Sequence, residues 1–164
     1  GSIPVGNGSL PAALAVGSNG AIPVADSGAT TGITWMLPGT ATVATAETTT
    51  SGAYTDLATS GPAVTKTIGA SGMAMVIVSA KLENNTLGAF ALMSYGVTGA
   101  TTSAAADTRA VYINEAIAGS PVARMGFTKL HTGLTAGSNT FTAKYRVTAG
   151  TGTFTDRDII VIPL

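Results

Sequence analysis

Asp156 and Asp158 are the only two acidic residues close to one another, in Thr155-Asp156-Arg157-Asp158-Ile159. On an alternating strand both carboxylates take one face and Arg157 the other. That arrangement is either a weak cation site or a solvated strand edge, and the edge is favoured because charge there discourages unwanted pairing. The other acids, Asp26, Glu47, Asp56, Glu83, Asp107 and Glu115, are dispersed. None has the aromatic surroundings in which a glycosidase holds a sugar between two carboxyls. His131, the only histidine, has no second His or Cys to complete a metal site and reads as a structural or surface residue. No Gly-x-Ser-x-Gly elbow appears, so a Ser-His-Asp triad lacks its local context. Gly69-Ala70-Ser71-Gly72 and Gly150-Thr151-Gly152 are glycine-rich but carry no Walker lysine and open no helix, so they read as turns. These residues point to no catalytic group, cofactor or metal, and to a protein that is not an enzyme.

The elements around them are read as strands. From residue 41 onward, segments of β propensity alternate with turn clusters, at roughly 53–59, 63–68, 73–82, 89–97, 109–114, 122–132, 139–149 and 153–162. Phe141, Ala143, Tyr145 and Val147 alternate with Thr140, Thr142, Lys144 and Arg146, one face buried and one wet. The run Met73-Ala74-Met75-Val76-Ile77-Val78 is continuous instead, which fits a central strand covered on both sides or one at a subunit interface. Turns are expected at Glu83-Asn84-Asn85-Thr86, Ala118-Gly119-Ser120-Pro121, Ala136-Gly137-Ser138 and Ala149-Gly150-Thr151-Gly152. With no helical pattern of ten residues, the expected fold is all-β: an antiparallel β-sandwich, jelly-roll-like, of about eight strands.

Residues 1–40 differ, because Gly, Pro, Ser and Asn interrupt every apolar pair. Val5-Gly6-Asn7-Gly8 is echoed by Val16-Gly17-Ser18-Asn19-Gly20, and Ile3-Pro4-Val5 by Ile22-Pro23-Val24. Each copy is expected to make a tight turn that redirects an extended strand. We divide the chain into an extended N-terminal assembly arm at 1–40 and a sandwich domain at 41–164, the latter opening on the Thr/Ala tract 41–51. Trp35, the only tryptophan, ends the arm either as a plug for the domain or as an anchor between subunits. The sequence starts Gly1-Ser2 with neither Met nor a basic-then-apolar leader, which suggests a processed or trimmed start.

Composition narrows the partners. Of the 164 residues only 10% are charged, with 8 Lys and Arg against 8 Asp and Glu, so no net field draws nucleic acid or an anionic membrane. No cysteine is present and no apolar run reaches membrane-spanning length. The 28 Ala and 27 Thr, with 5% aromatics, suit thin pleated layers. With so little charge, part of the apolar surface is expected to lie against neighbouring subunits.

Residues 19–35, NGAIPVADSGATTGITW, with their Ala25-Asp26-Ser27 and Thr30-Thr31-Gly32 steps and the closing Trp35, resemble a motif of tailed-phage tail-fibre, minor-tail and head-fibre proteins. Residues 5–14, VGNGSLPAAL, resemble the segment that precedes it, and 133–147 with 154–164 resemble the closing strands of jelly-roll domains on phage surface proteins. The chain departs from the pattern at Ala21-Ile22-Pro23, where the family more often has a Gln-Val-Leu-like strand. The resemblance implies a structural protein of the virion, commonly a homotrimer with an intertwined arm, and no catalytic residue.

The expected function is capsid decoration or a short head fibre, with Ile22, Val24, Ile33 and Trp35 as the arm's anchors and other virion proteins, such as the major capsid protein, as partners. The alternative is a tail-fibre or minor-tail tip that holds a host-surface glycan in a groove near Tyr54, Tyr95 or Tyr112.

Overall fold

A computed structural model describes residues 2–6, 11–114 and 122–164; the expected turns at Asn7-Gly8 and Ala118-Gly119-Ser120-Pro121, and Glu115, lie outside them. The strands are β1 (Ser2–Gly6), β2 (Pro11–Ala15), β3 (Ile22–Ala25), β4 (Ile33–Met36), β5 (Gly39–Val43), β6 (Glu47–Thr49), β7 (Ala63–Ile68), β8 (Ala74–Asn84), β9 (Phe90–Gly99), β10 (Val111–Asn114), β11 (Ala123–His131), β12 (Gly137–Val147) and β13 (Gly152–Pro163). A single 3₁₀ turn, Asp107–Arg109, precedes β10. Two sheets face each other, one ordered β10-β9-β12-β7 and the other β11-β8-β13-β5, with β6 also on β13.

The pairing is nested. β9 pairs with β10, β8 with β11, β7 with β12 and β5 with β13, each antiparallel. This is what results when one long hairpin is rolled over on itself, and the pairs β9·β12 and β8·β13 stitch the roll into two sheets. The fold is thus a jelly-roll β-sandwich.

Side-chain alternation decides the core. Phe141, Ala143, Tyr145 and Val147 point inward from β12 and are fully buried, against Val76, Val78, Leu82, Phe154, Ile159 and Val161 of the facing sheet. The Met73 to Val78 run is an interior strand: Ala74, Val76 and Val78 enter the core, while Met75 and Ile77 stay half-buried on the outward face. There they stand beside Ile160, Ile162 and Leu130 by register.

Three expectations change. Residues 53–59 make no strand but only a bridge from Thr55 to Tyr145, because the Ser60 hydroxyl donates to Asp56 (2.8 Å) and turns the chain while Leu57 plugs the core. The Thr/Ala tract carries two strands, β5 and β6, added end to end along one edge of β13. The Asp156 to Asp158 stretch is no solvated edge, since β13 lies between β8 and β5. A bulge there, with Asp156 at φ 48°, turns Arg157 into the core and leaves Asp158 outward. Arg124 bridges Asp156 (4.0 Å) and Asp158 from β11, so both carboxylates have a protein counterion.

Arg157 has no solvent exposure. Its guanidinium lies 5.3 Å from the centre of the Tyr145 ring and donates to Glu47 (3.1 Å) and to the Thr45 carbonyl (3.3 Å). Glu47 also accepts from the Thr59 hydroxyl (2.6 Å) and backbone N–H (3.1 Å). The Thr59 hydroxyl first, and Arg157 after it, hold the Glu47 carboxyl below the usual glutamate range against the opposing effect of burial. A carboxyl depressed in the folded state stabilises above its unfolded pKa of about 4.3 and loses that contribution as pH falls toward the lowered value. Glu47→Gln leaves Arg157 an uncompensated buried charge and is expected to cost about 3 kcal/mol at neutral pH. Urea unfolding at a series of pH values should show the variant less stable at pH 7 and flatter than the parent below about pH 4.

Candidate functional site

The described part of the first 36 residues contains two separate antiparallel ribbons, β1 with β2 and β3 with β4. The residues of the Ala-Asp-Ser and Thr-Thr-Gly steps build the turn of the second. The Asp26 N–H donates to the Gly32 carbonyl (2.9 Å), the Asp26 carboxylate accepts from the Gly28 N–H (2.9 Å), and Gly32 sits at φ 68°. Gly20, in the Ser-Asn-Gly turn before β3, has φ 82°, a conformation glycine adopts without the clash a Cβ would bring.

Register separates the four proposed anchors. Ile22 faces Met36 and Val24 faces Thr34, whereas Pro23 faces Trp35 and Ala25 faces Ile33. Ile22 and Val24 therefore occupy one face of the ribbon, Ile33 and Trp35 the other. Ile22 is exposed; the other three are half-buried. Trp35 neither plugs the sandwich core nor stands free. Its indole N–H donates to the Ala15 carbonyl (2.8 Å), and its ring lies so close to Gly17 that a Cβ there would meet it at 2.5 Å. It clamps the second ribbon to the end of the first. Beside it, Ile3 and Val16 line a shallow cavity of about 270 Å³. Ile3, Val16 and Leu37 are exposed apolar residues of this segment that sequence reasoning did not single out; their only signal was an apolar residue among turn formers.

The tyrosines divide between faces. Tyr95 is fully buried in the core, which removes it from any groove; its hydroxyl lies 3.1 Å from His131 Nδ1, and burial pushes its pKa up to about 12. His131 is itself buried, and desolvation, with Arg109 and Lys129 nearby, lowers its pKa. Tyr54 and Tyr112 instead lie on the outward face of the four-stranded sheet. Tyr54 donates to Asp107 Oδ1 (2.9 Å), and Arg146 grips the same carboxylate through Nε (3.0 Å) and Nη2 (2.5 Å). Burial, then Asp107, raises the Tyr54 pKa to about 12, and the Arg146 hydrogen bond holds Asp107 below the usual carboxylate range. Among the described residues no cluster of three His, Cys, Asp or Glu is placed to hold a metal, and no helix is long and apolar enough to cross a membrane.

No protein-family model matches the chain, and no curated protein matches it. Among solved structures it is similar to the infectious bursal virus derived T=1 particles (TM-score 0.43, 14% identity, 99% of this chain and 36% of that one). It is similar also to the Gt strain of infectious bursal disease virus (0.41, 12%, 99% and 38%). The Gx strain matches in the same way (0.41, 11%, 99% and 41%). The chain spans under half the length of these viral chains. At TM-scores this low the likenesses carry no argument about function.

Gly17→Val should push the indole off its seat. The emission of this single tryptophan is expected to shift to longer wavelength as the ring enters water, while far-ultraviolet dichroism of the sandwich stays unchanged. Unshifted emission would show that Trp35 does not rest on Gly17.

Proposed function

We propose that the chain is a structural protein of a virus particle, held in the assembly through its N-terminal segment. The observation that carries this is where the apolar surface lies. Among the described residues the sandwich core takes none from the first 38 positions, where Val5 is buried apart from it, yet that stretch exposes Ile3, Val16, Ile22 and Leu37. A segment that contributes nothing to its own domain's core and presents large apolar side chains to water is built to be covered by something else. Its two ribbons also leave strand edges open for a neighbour's strand to extend.

In its finer form the proposal is a tailed-phage capsid decoration or head-fibre protein, trimeric, in line with the resemblance of residues 5–14 and 19–35. Several arms on one particle sum weak contacts through multivalency. Ile22 and Val24, on one face of the second ribbon, are the anchors that meet the partner; Trp35, on the other, keeps the two ribbons together.

Because β5 begins at Gly39, removal of residues 1–38 spares every strand of the sandwich. Light scattering is expected to give a trimer for the full chain and a folded monomer for the truncated one. An unchanged mass after truncation would overturn the assembly role of the arm. Copy number separates decoration from the tail-tip alternative: hundreds per particle for the first, a handful for the second.

A further inference from the structure

Proline placement distinguishes the strand edges of the N-terminal segment. Proline has no N–H to give to a ladder, so Pro4, Pro11 and Pro23 must sit where the backbone faces away from the partner strand. The registers Pro4↔Ala13, Pro11↔Gly6 and Pro23↔Trp35 then make Ile3↔Leu14, Val5↔Ala12, Ile22↔Met36 and Val24↔Thr34 the hydrogen-bonded pairs. The outer edges of β1, β2 and β3 thus each carry a proline, and on β2 the Ala15 carbonyl is also taken, by the Trp35 indole (2.8 Å). β4 has none. It turns outward the Ile33 N–H and both the N–H and the C=O of Trp35, while the Ile33 carbonyl accepts from the Thr31 hydroxyl (2.9 Å).

The sandwich has a counterpart edge. β11 ends the five-stranded sheet, pairs among the described residues with β8 alone, and runs 9 residues with neither a proline nor a break in register. The other outermost strands, β5, β7 and β10, have only 5, 6 and 4 residues. Six of the nine residues of β11 are exposed, with Met125 at 41% and Leu130 at 48%. An open edge of this length is one that proteins otherwise cover or break.

We propose that the outer edge of β4 pairs with the outer edge of β11 in a second copy of the chain. The pairing rests on the assembly role proposed for the N-terminal segment and names the surface that receives it. Reach excludes pairing within one copy. Only Leu37 and Pro38 separate β4 from β5, a link of about 10 Å at full extension. β5 and β11 are opposite ends of the β11-β8-β13-β5 order, so a strand laid outside β11 is four spacings from β5, or about 19 Å. The second ribbon is seated elsewhere in its own copy. Met36 rests on Gly69, in the turn between β7 and β8, so closely that a Cβ there would meet Met36 Cε at 3.3 Å.

Charge favours β4 over a second β11 as the occupant. β11 carries Arg124 and Lys129, which bring like charges together when two such strands pair, whereas Ile33-Thr34-Trp35-Met36 has no charge to repel. A contact from β4 of one copy to β11 of the next is heterologous, and repeated about an axis it closes a ring in which every edge of both kinds is used. Removal of residues 1–38 takes β4 away and opens that ring.

The chain has no cysteine, so introduced thiols report contacts between copies directly. Full-length chains carrying Thr34→Cys together with Met125→Cys, Thr128→Cys or Leu130→Cys are oxidised and run on non-reducing gels. At least one pair is expected to give covalent multimers, and Thr34→Cys with Thr42→Cys, on β5, is expected to give none. Ile33→Pro removes the outward N–H and leaves the bonds between β3 and β4 in place. It is expected to lower the mass found by light scattering to that of a monomer, with tryptophan emission unchanged. Multimers from Thr34→Cys alone would show β4 pairing with itself. No multimers from any of the three pairs, in a chain that light scattering finds assembled, would place the docking edge elsewhere. Either result, or an unchanged mass for Ile33→Pro, overturns this pairing and leaves the assembly role standing; a monomeric full chain overturns both.

Discussion

β13 must lie between two partners at once, β8 along one edge and β5 with β6 along the other. Because the pairing is nested, its register with β5 joins the first strand of the sandwich to the last, and that junction forms only after every pair inside it has room to close. Such long-range closure makes folding slow and cooperative. It also fixes geography. The N-terminal segment enters the sandwich through β5, on the flank of β13, so the attachment proposed for it is at one edge of the five-stranded sheet. The outward face of the other sheet is left free.

The bulge in β13 is where this constraint meets a second one. An uninterrupted strand would continue the alternation and send Arg157 outward. The inserted residue turns it inward, where it has no solvent contact. A buried guanidinium is costly unless its hydrogen bonds and charge are met. Here Glu47 meets the charge, Nη2 donates to Glu47 and to the Thr45 carbonyl, and the Tyr145 ring lies beneath, while Nε and Nη1 are buried without a hydrogen-bond partner among the described residues. Glu47 opens β6 and bonds to Thr59, so one charge pair pins both β6 and the crossing segment around Leu57 to the end of the sandwich. Neither has enough apolar surface to stay there by itself. Ionic pairing thus supplements hydrophobic burial where Leu57 is the segment's main apolar contact with the core.

This explains what could be read in the sequence. Segments of β propensity between turn clusters marked β7, β8, β9, β11, β12 and β13 within a residue or two; period-two alternation was clear in β12, which has one face in the core and the other toward water, whereas the start of β8 read as a continuous apolar run. β5 and β6 carried no such signal: they are edge additions in a Thr/Ala tract, held by backbone bonds and a distant arginine. Arg157 lies opposite Asp158, as alternation expects, but the one-residue bulge that makes this the inward face leaves no trace in composition, and neither does the burial of its charge. Of the site residues, Ile22, Val24, Ile33 and Trp35 were recognisable as apolar positions between turn formers, yet their division into two faces needed the register of β3 on β4. Tyr54, Asp107 and Arg146 are far apart in the chain and meet only because the rolled hairpin lays β12 beside the turn before β10. No local pattern encodes such a meeting.

Charge pairing sets how this surface can recognise anything. Of the eight cations, Arg124, Lys144, Arg146 and Arg157 each sit against a carboxylate, among the described residues. With charges few, balanced in number and half of the cations neutralised at contact distance, the molecule projects little field beyond a Debye length. Partners are therefore not steered in from afar. Association must depend on short-range fit, such as the open strand edges and exposed apolar side chains of the N-terminal segment offer. Single contacts of that kind are weak, and repetition on a shared scaffold raises them to a useful total. The attachment proposed for the N-terminal segment supplies such repetition, because it sets many copies on one particle.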